Sequence, residues 1–256
     1  MTRDRYIAFL DIMGMKNLLE TEGVAVIHSL YSELDDITKV YKDQLIINYY
    51  SDSIMAATVD GSVDGYQSLV LFCARIEAYC IQRSYAVNGA ISFGSVTIDV
   101  ERNIWLGKPL AWVYELQNKL FFYGVVLDDK AYEQAKDFIL PIAVNLTIPY
   151  LVTGLIVPLK KEGWKELQCV NWFEFIGDKI GRENPYQDQI EPMRKYVKNL
   201  YEKYKDAGRG YYYISNTEMV IKHWYDFLGE RNGSSKWGNL ILEDYLTGKT
   251  YFETPS

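Results

Sequence analysis

Histidine and cysteine are scarce in this chain, with two of the first and three of the second among 256 residues. Cys73, Cys80 and Cys169 cannot all pair within one chain, and no two of them stand at a metal-ligand spacing, which excludes a disulfide scaffold and a cysteine zinc site. Cys73 and Cys80 fall in a helical pattern and are expected to pack in the core as free thiols. Basic excess is also missing. A net charge of −7 argues against a nucleic-acid partner, because that affinity comes from clustered Lys and Arg. No apolar run approaches the about 18 residues a membrane span needs. The opening Met1-Thr2-Arg3-Asp4-Arg5 leads into an apolar run too short for a signal peptide, so no membrane partner and a cytoplasmic location are expected. Low-complexity tracts and internal repeats are absent, which removes disordered and solenoid architectures.

What remains is an ordinary globular balance, 48% apolar and 24% charged, long enough to bury a full core. Tyrosine is abundant, with 22 copies, many in runs such as Tyr49-Tyr50 and Tyr211-Tyr212-Tyr213 that suit half-buried faces. His28 falls near the polar side of a helical stretch and His223 in the last helix, far in sequence from the acidic motifs described next; both are expected to be structural.

Tyr6 to Leu10 reads as a buried strand, closed by Asp11-Ile12-Met13-Gly14. Val24 to Tyr41 carries a helical apolar stripe through Ile27, Leu30, Leu34 and Ile37. Leu45 to Tyr50 and Ser53 to Thr58 read as a tight hairpin around Ser51-Asp52. Val63 to Tyr85 is helical again. Gly89 to Asp99 reads as a strand whose glycines suggest close backbone approaches. This order is the ferredoxin-like βαββαβ plan with a split first helix, an α+β fold. Gly107 to Phe122 and Asp129 to Phe138 read as helices around a short strand, Gly124 to Leu127. Tyr150 to Val157 and Trp164 to Trp172 read as strands, and Ile190 to Lys205 and Tyr211 to Leu228 as helices. The most linker-like stretches are Asp178 to Asp188 and Gly229 to Gly238. We therefore expect a core over 1–140 and C-terminal strands and helices over 141–256, packed as one integrated domain.

Two constellations carry chemistry. Asp11 ends a buried strand, and a glycine follows it at a helix start. Its carboxylate and the Ile12 carbonyl suit a hard cation, and the N–H groups of Met13, Gly14 and Met15 suit phosphates. The same residues would also serve as a helix cap and turn. In Asn48-Tyr49-Tyr50-Ser51-Asp52-Ser53, alternation puts Asn48 and Tyr50 on one face. Asp52 is either a turn residue or the second carboxylate of a two-cation site; the hairpin, expected beside the first strand at the sheet's centre, would bring it to Asp11.

These residues resemble the metal-binding elements of class III nucleotide cyclases, in Phe9-Leu10-Asp11-Ile12-Met13-Gly14 and Tyr50-Ser51-Asp52. Ile104-Trp105-Leu106-Gly107-Lys108-Pro109-Leu110 resembles that family's segment carrying base and transition-state residues. Asn88-Gly89-Ala90-Ile91-Ser92-Phe93-Gly94 and Leu110-Ala111-Trp112-Val113-Tyr114-Glu115-Leu116 are similar to the bacterial pyrimidine cyclases of Pycsar antiphage systems. The resemblance implies the class III cyclase fold with a C-terminal α/β extension. It implies Asp11, Ile12 and Asp52 as ligands of two Mn²⁺ or Mg²⁺ ions, and a nucleoside triphosphate substrate. A homodimer with composite sites and a separately encoded cyclic-nucleotide effector are implied as well. The lysine and aspartate that read a purine fall at Asn48 and Asn103. With Tyr50 narrowing the pocket, this implies a uridylate cyclase, with cytidylate second. The family's transition-state asparagine and arginine fall at Ala111 and Glu115, so Arg102 and Lys108 are the candidate replacement cations. A purine cyclase with a rewired pocket and a catalytically inactive nucleotide-binding module are the alternatives.

Overall fold

The computed structural model describes residues 2–145, 151–175, 190–206 and 210–232. The chain begins β1 (Thr2–Ile12), α1 (Met15–Thr21), α2 (Val24–Lys39), β2 (Leu45–Tyr50), β3 (Ser53–Thr58), α3 (Val63–Gln82), β4 (Val87–Asp99). It continues β5 (Ile104–Leu106), α4 (Lys108–Lys119), β6 (Gly124–Leu127), α5 (Asp129–Asn145), β7 (Val152–Leu159), β8 (Gly163–Val170), α6 (Ile190–Tyr204), α7 (Gly210–Asn232). Among the described residues the strands form one sheet in the order β2-β3-β1-β4-β6-β8-β7, with β5 paired to β4. The first four strands and their helices reproduce the ferredoxin-like plan, with β1 antiparallel to both β3 and β4.

From Tyr6 onward β1 is largely buried because it is apolar on both faces. Tyr6, Ile7, Ala8, Leu10 and Ile12 are all inaccessible to solvent, and each large side chain so buried contributes about 1.5–3 kcal/mol. One face is covered by α3, where the Tyr6 and Tyr66 rings lie 5.0 Å apart. Ser62 starts α3 as its cap, its hydroxyl accepting from the Gly65 N–H at 3.1 Å. The opposite face is covered by α4, whose Tyr114 meets Phe9 edge-on at 5.8 Å. A side chain at Gly89 would bring its Cβ within 2.5 Å of the Phe9 carbonyl, so β1 and β4 approach closely there.

Several boundaries differ from the sequence reading. β1 starts earlier, at Thr2, because its polar first residues still ladder with Val96 and Thr97 of β4. α5 runs on to Asn145, and β5 is a separate short strand inside the Ile104 to Leu110 segment. Only β3 of the hairpin adjoins β1; β2 is the sheet's outer edge rather than part of its centre. The C-terminal strands β7 and β8 extend the same sheet through β6. The linker-like stretch 178–188 lies outside the described residues; of 229–238, residues 229–232 continue α7 and the rest lies outside them. The three cysteines are free and buried. Among the described residues no helix is long and apolar enough to cross a membrane.

Candidate active site

The two acidic motifs meet at one corner of the sheet. Asp11 pairs across β1–β3 with Ser53 and across β1–β4 with Asn88. The next residue, Ile12, donates its N–H to the Asp52 carbonyl at 2.8 Å. A strand residue's N–H and C=O point to the same side, so the Ile12 carbonyl also faces the Asp52 turn. That turn is tight, with Ser51 in the left-handed region at φ 55°. It is held from α2 by the Tyr31 hydroxyl, which donates to the Ser51 carbonyl.

The electrostatics are those of two carboxylates sharing a partly dry corner. Burial pushes the Asp11 carboxyl up from 3.8 to about 6, the Asp52 charge adds to the shift, and Lys160 offsets part of it. Burial also raises the Tyr31 phenol to about 12, with Asp52 the next cause. Lys160, in the β7–β8 turn, donates to the Asn118 carbonyl at 2.7 Å. Sequence reasoning missed Lys160 and Tyr31, since only the closed sheet brings either to the acidic pair.

Among the described residues no group of three or more His, Cys, Asp or Glu side chains could hold a metal. The candidate donors at the corner are the Asp11 and Asp52 carboxylates and the Ile12 carbonyl. This set fits Mg²⁺ or Mn²⁺, which take one or two carboxylates and complete their shell with water and substrate phosphates. A corner that raises the pKa of its own aspartate also favours a cation that would relieve the repulsion.

The loop expected to face phosphates has fewer free N–H groups than its sequence implies. Met13 donates its N–H to the Ala86 carbonyl at 2.8 Å, which corrects the reading of Met13 as a free donor: the β1–β4 ladder continues one residue past the strand. Gly14, at φ 78°, caps α1, and its N–H and that of Met15 are the donors that remain at the helix start. A side chain at Gly14 would meet the Tyr204 ring of α6 at 3.2 Å. The end of α6 thus packs against this loop, and its Lys203 also pairs with Glu22 at 2.8 Å.

A second cluster lies on the same sheet face. Asn48 donates its side-chain N–H to Asn103 Oδ1 at 2.8 Å, so the β4–β5 turn folds back to the sheet's edge strand. Tyr50 stands beside Asn48 on that face, 71% exposed. Arg102 neighbours Asn103 and makes a loose pair with Asp99 at 3.8 Å. From strand spacing and rise, the Asn48 and Asp11 Cα atoms are roughly 12 Å apart. Lys108 begins α4 and is exposed. It sits roughly 13 Å along the helix from Gln117, the residue of α4 that approaches Asp11. The fold therefore does not bring Lys108 to the acidic pair of its own chain.

No protein-family model matches this sequence, and no curated protein does. Solved structures of similar form are adenylyl and guanylyl cyclases. The monomeric guanylyl cyclase domain of the RhoGC fusion protein from the aquatic fungus Blastocladiella emersonii is 14% identical, with 66% of this chain and 96% of that one covered and a TM-score of 0.48. The adenylyl cyclase CyaB from P. aeruginosa is 13% identical over 67% of this chain and 96% of its own, at 0.43. An adenylate/guanylate cyclase/hydrolase from Silicibacter pomeroyi is 16% identical over 67% and 98%, at 0.44. At such identities the site has to be read from its own residues.

Proposed function

We propose that this chain is a pyrimidine nucleotide cyclase, converting UTP, or CTP as second choice, to the 3′,5′-cyclic monophosphate and pyrophosphate in Pycsar-type antiphage signalling. The observation that carries the reading is the meeting of the Asp11 and Asp52 motifs at one corner, tied by the Ile12 N–H to the Asp52 carbonyl, with the Asp52 charge felt at the Asp11 carboxyl. Two Mn²⁺ or Mg²⁺ ions, when bound, would neutralise the triphosphate and acidify the ribose 3′-hydroxyl. Asp11 and Asp52 would hold them, and the Gly14 and Met15 N–H groups would take phosphate oxygens. With no protein nucleophile required, the chain's work is positioning and charge neutralisation.

The Asn48–Asn103 pair supports the pyrimidine assignment. Two neutral amides offer a donor and an acceptor to a base edge, with no ionic handle for a purine, and Tyr50 supplies an exposed ring for stacking. Arg102 stands beside this pair. Lys108 would serve the acidic corner of a second copy rather than its own, which favours a symmetric homodimer with composite sites. Tyr50, Val100, Leu106 and Tyr114 are large apolar side chains left exposed, surface that a second copy would cover.

A second reading, a nucleotide-binding module without turnover, is favoured by α4, where the exposed Ala111 and Glu115 provide no cation. Incubation with each of the four labelled triphosphates and Mn²⁺ tests both readings. A cyclic pyrimidine nucleotide supports the proposal. Cyclic AMP or cyclic GMP as the main product would assign a purine cyclase instead, and tight nucleotide binding without product would assign the silent module.

A further inference from the structure

Gln117 is an uncharged residue buried against the acidic corner, and nothing in the cyclase reading uses it. It lies in the last turn of α4 and is 5% exposed. Its amide nitrogen donates to Asn88 Oδ1 at 2.7 Å and also lies 3.5 Å from Asp11 Oδ2. Asn88 is fully buried, sits directly opposite Asp11 in the β1–β4 register, and has an Nδ2 with no hydrogen-bond partner.

The order of these groups fixes their orientation. A carboxylate accepts only, so the Gln117 group facing Asp11 has to be its NH₂. That NH₂ then presents a donor to Asn88, which has to answer with Oδ1. The unpartnered Asn88 Nδ2 is what this arrangement leaves over, a cost that buried polar groups rarely carry. Other residue types at 117 would act differently. A lysine would neutralise Asp11 and compete with a cation, and a glutamate would add a third negative charge. A neutral amide restrains the carboxylate while leaving its charge available.

We propose that Gln117 is a positioning residue for the cation site, tethering Asp11 through Oδ2 so that Oδ1 is turned toward the Asp52 turn. The proposal rests on the two-carboxylate reading above and adds to it the α4 side chain that orients one carboxylate. It also gives the β4–α4 region a link to the metals within one chain, independent of any dimer.

The test is Mn²⁺ affinity, read by electron paramagnetic resonance on the full chain without nucleotide. Gln117→Met keeps the volume and removes the donor; Gln117→Leu is the second variant should the first not fold. Unfolding in EDTA verifies that the variant remains folded. The expected result is a Kd for Mn²⁺ weakened about 10- to 100-fold, the range for loss of an outer-shell partner, with an altered Mn²⁺ spectrum. An affinity within about twofold of the unsubstituted protein, while Asp52→Ala abolishes binding, would overturn the Gln117 role and leave the two-carboxylate reading standing. Mn²⁺ binding that is absent, or indifferent to Asp52→Ala, would overturn both.

Discussion

The Ile12 N–H donates to the Asp52 carbonyl at 2.8 Å, and this bond ties the two acidic motifs together across forty residues of chain. It fixes the backbone on both sides of the corner, so the distance between the carboxylates varies only through side-chain rotation.

Asp11 is held at a cost when no cation is present. Its folded pKa, pushed up to about 6, lies above the ordinary 3.8, so between these values the folded state keeps a proton that the unfolded chain has released. Stability from this group is therefore full below about pH 4 and lost as pH rises toward and through 6. Asp11→Asn should raise the stability of the metal-free protein at pH 7.5 by on the order of 2 kcal/mol, flatten its pH dependence between these limits and remove stabilisation by Mn²⁺. Urea unfolding across pH, with EDTA and with Mn²⁺, measures all three.

Gly14 is constrained twice, by its left-handed backbone and by the Tyr204 ring 3.2 Å from where a Cβ would lie. Gly14→Ala should cost about 1–2 kcal/mol from the backbone alone. It should also weaken triphosphate binding, because the donors at the start of α1 move with the loop. Equilibrium unfolding together with nucleotide titration checks the pair of effects.

The Tyr31 hydroxyl steadies the Ser51 carbonyl and hence the strained turn that presents Asp52. Tyr31→Phe keeps the ring contact with Tyr49 and removes only the hydrogen bond. A loss of about 1 kcal/mol in stability is expected, with a several-fold weaker Mn²⁺ affinity measured by titration.

Breaking the amide pair at the second cluster should affect selectivity more than chemistry. Asn48→Ala leaves Asn103 without its 2.8 Å partner. The preferred triphosphate should lose about 10-fold or more in kcat/KM, mostly through KM, and discrimination among the four bases should narrow. Steady-state kinetics on all four substrates separates this from a general loss of activity.

Much of the fold was legible because its signals are local. The apolar run from Tyr6 to Leu10 announced a central strand, and the two β-rich runs flanking Ser51-Asp52 announced a hairpin. What the sequence concealed was contact between distant segments. Gln117 reads as a polar position on an amphipathic helix, and only the way α4 seats on β4 and β1 turns it inward toward Asn88. Lys160 and Tyr204 reach the site from the C-terminal half, where no spacing links them to Asp11 or Gly14. The Met13 N–H was misread because a helix start predicts free donors, whereas the strand ladder extends to Ala86. The back-folded β4–β5 turn, with Asn103 at φ 52°, likewise has no short-range signature strong enough to place it on Asn48.

The most direct measurement follows conversion of labelled UTP to cyclic UMP with Mn²⁺ by the unsubstituted protein and by Asp52→Ala. Product from the first and at least about a thousandfold less from the second is the expected result, since loss of a metal-holding carboxylate removes charge stabilisation at the reacting phosphorus. Undiminished cyclisation by Asp52→Ala would contradict the account.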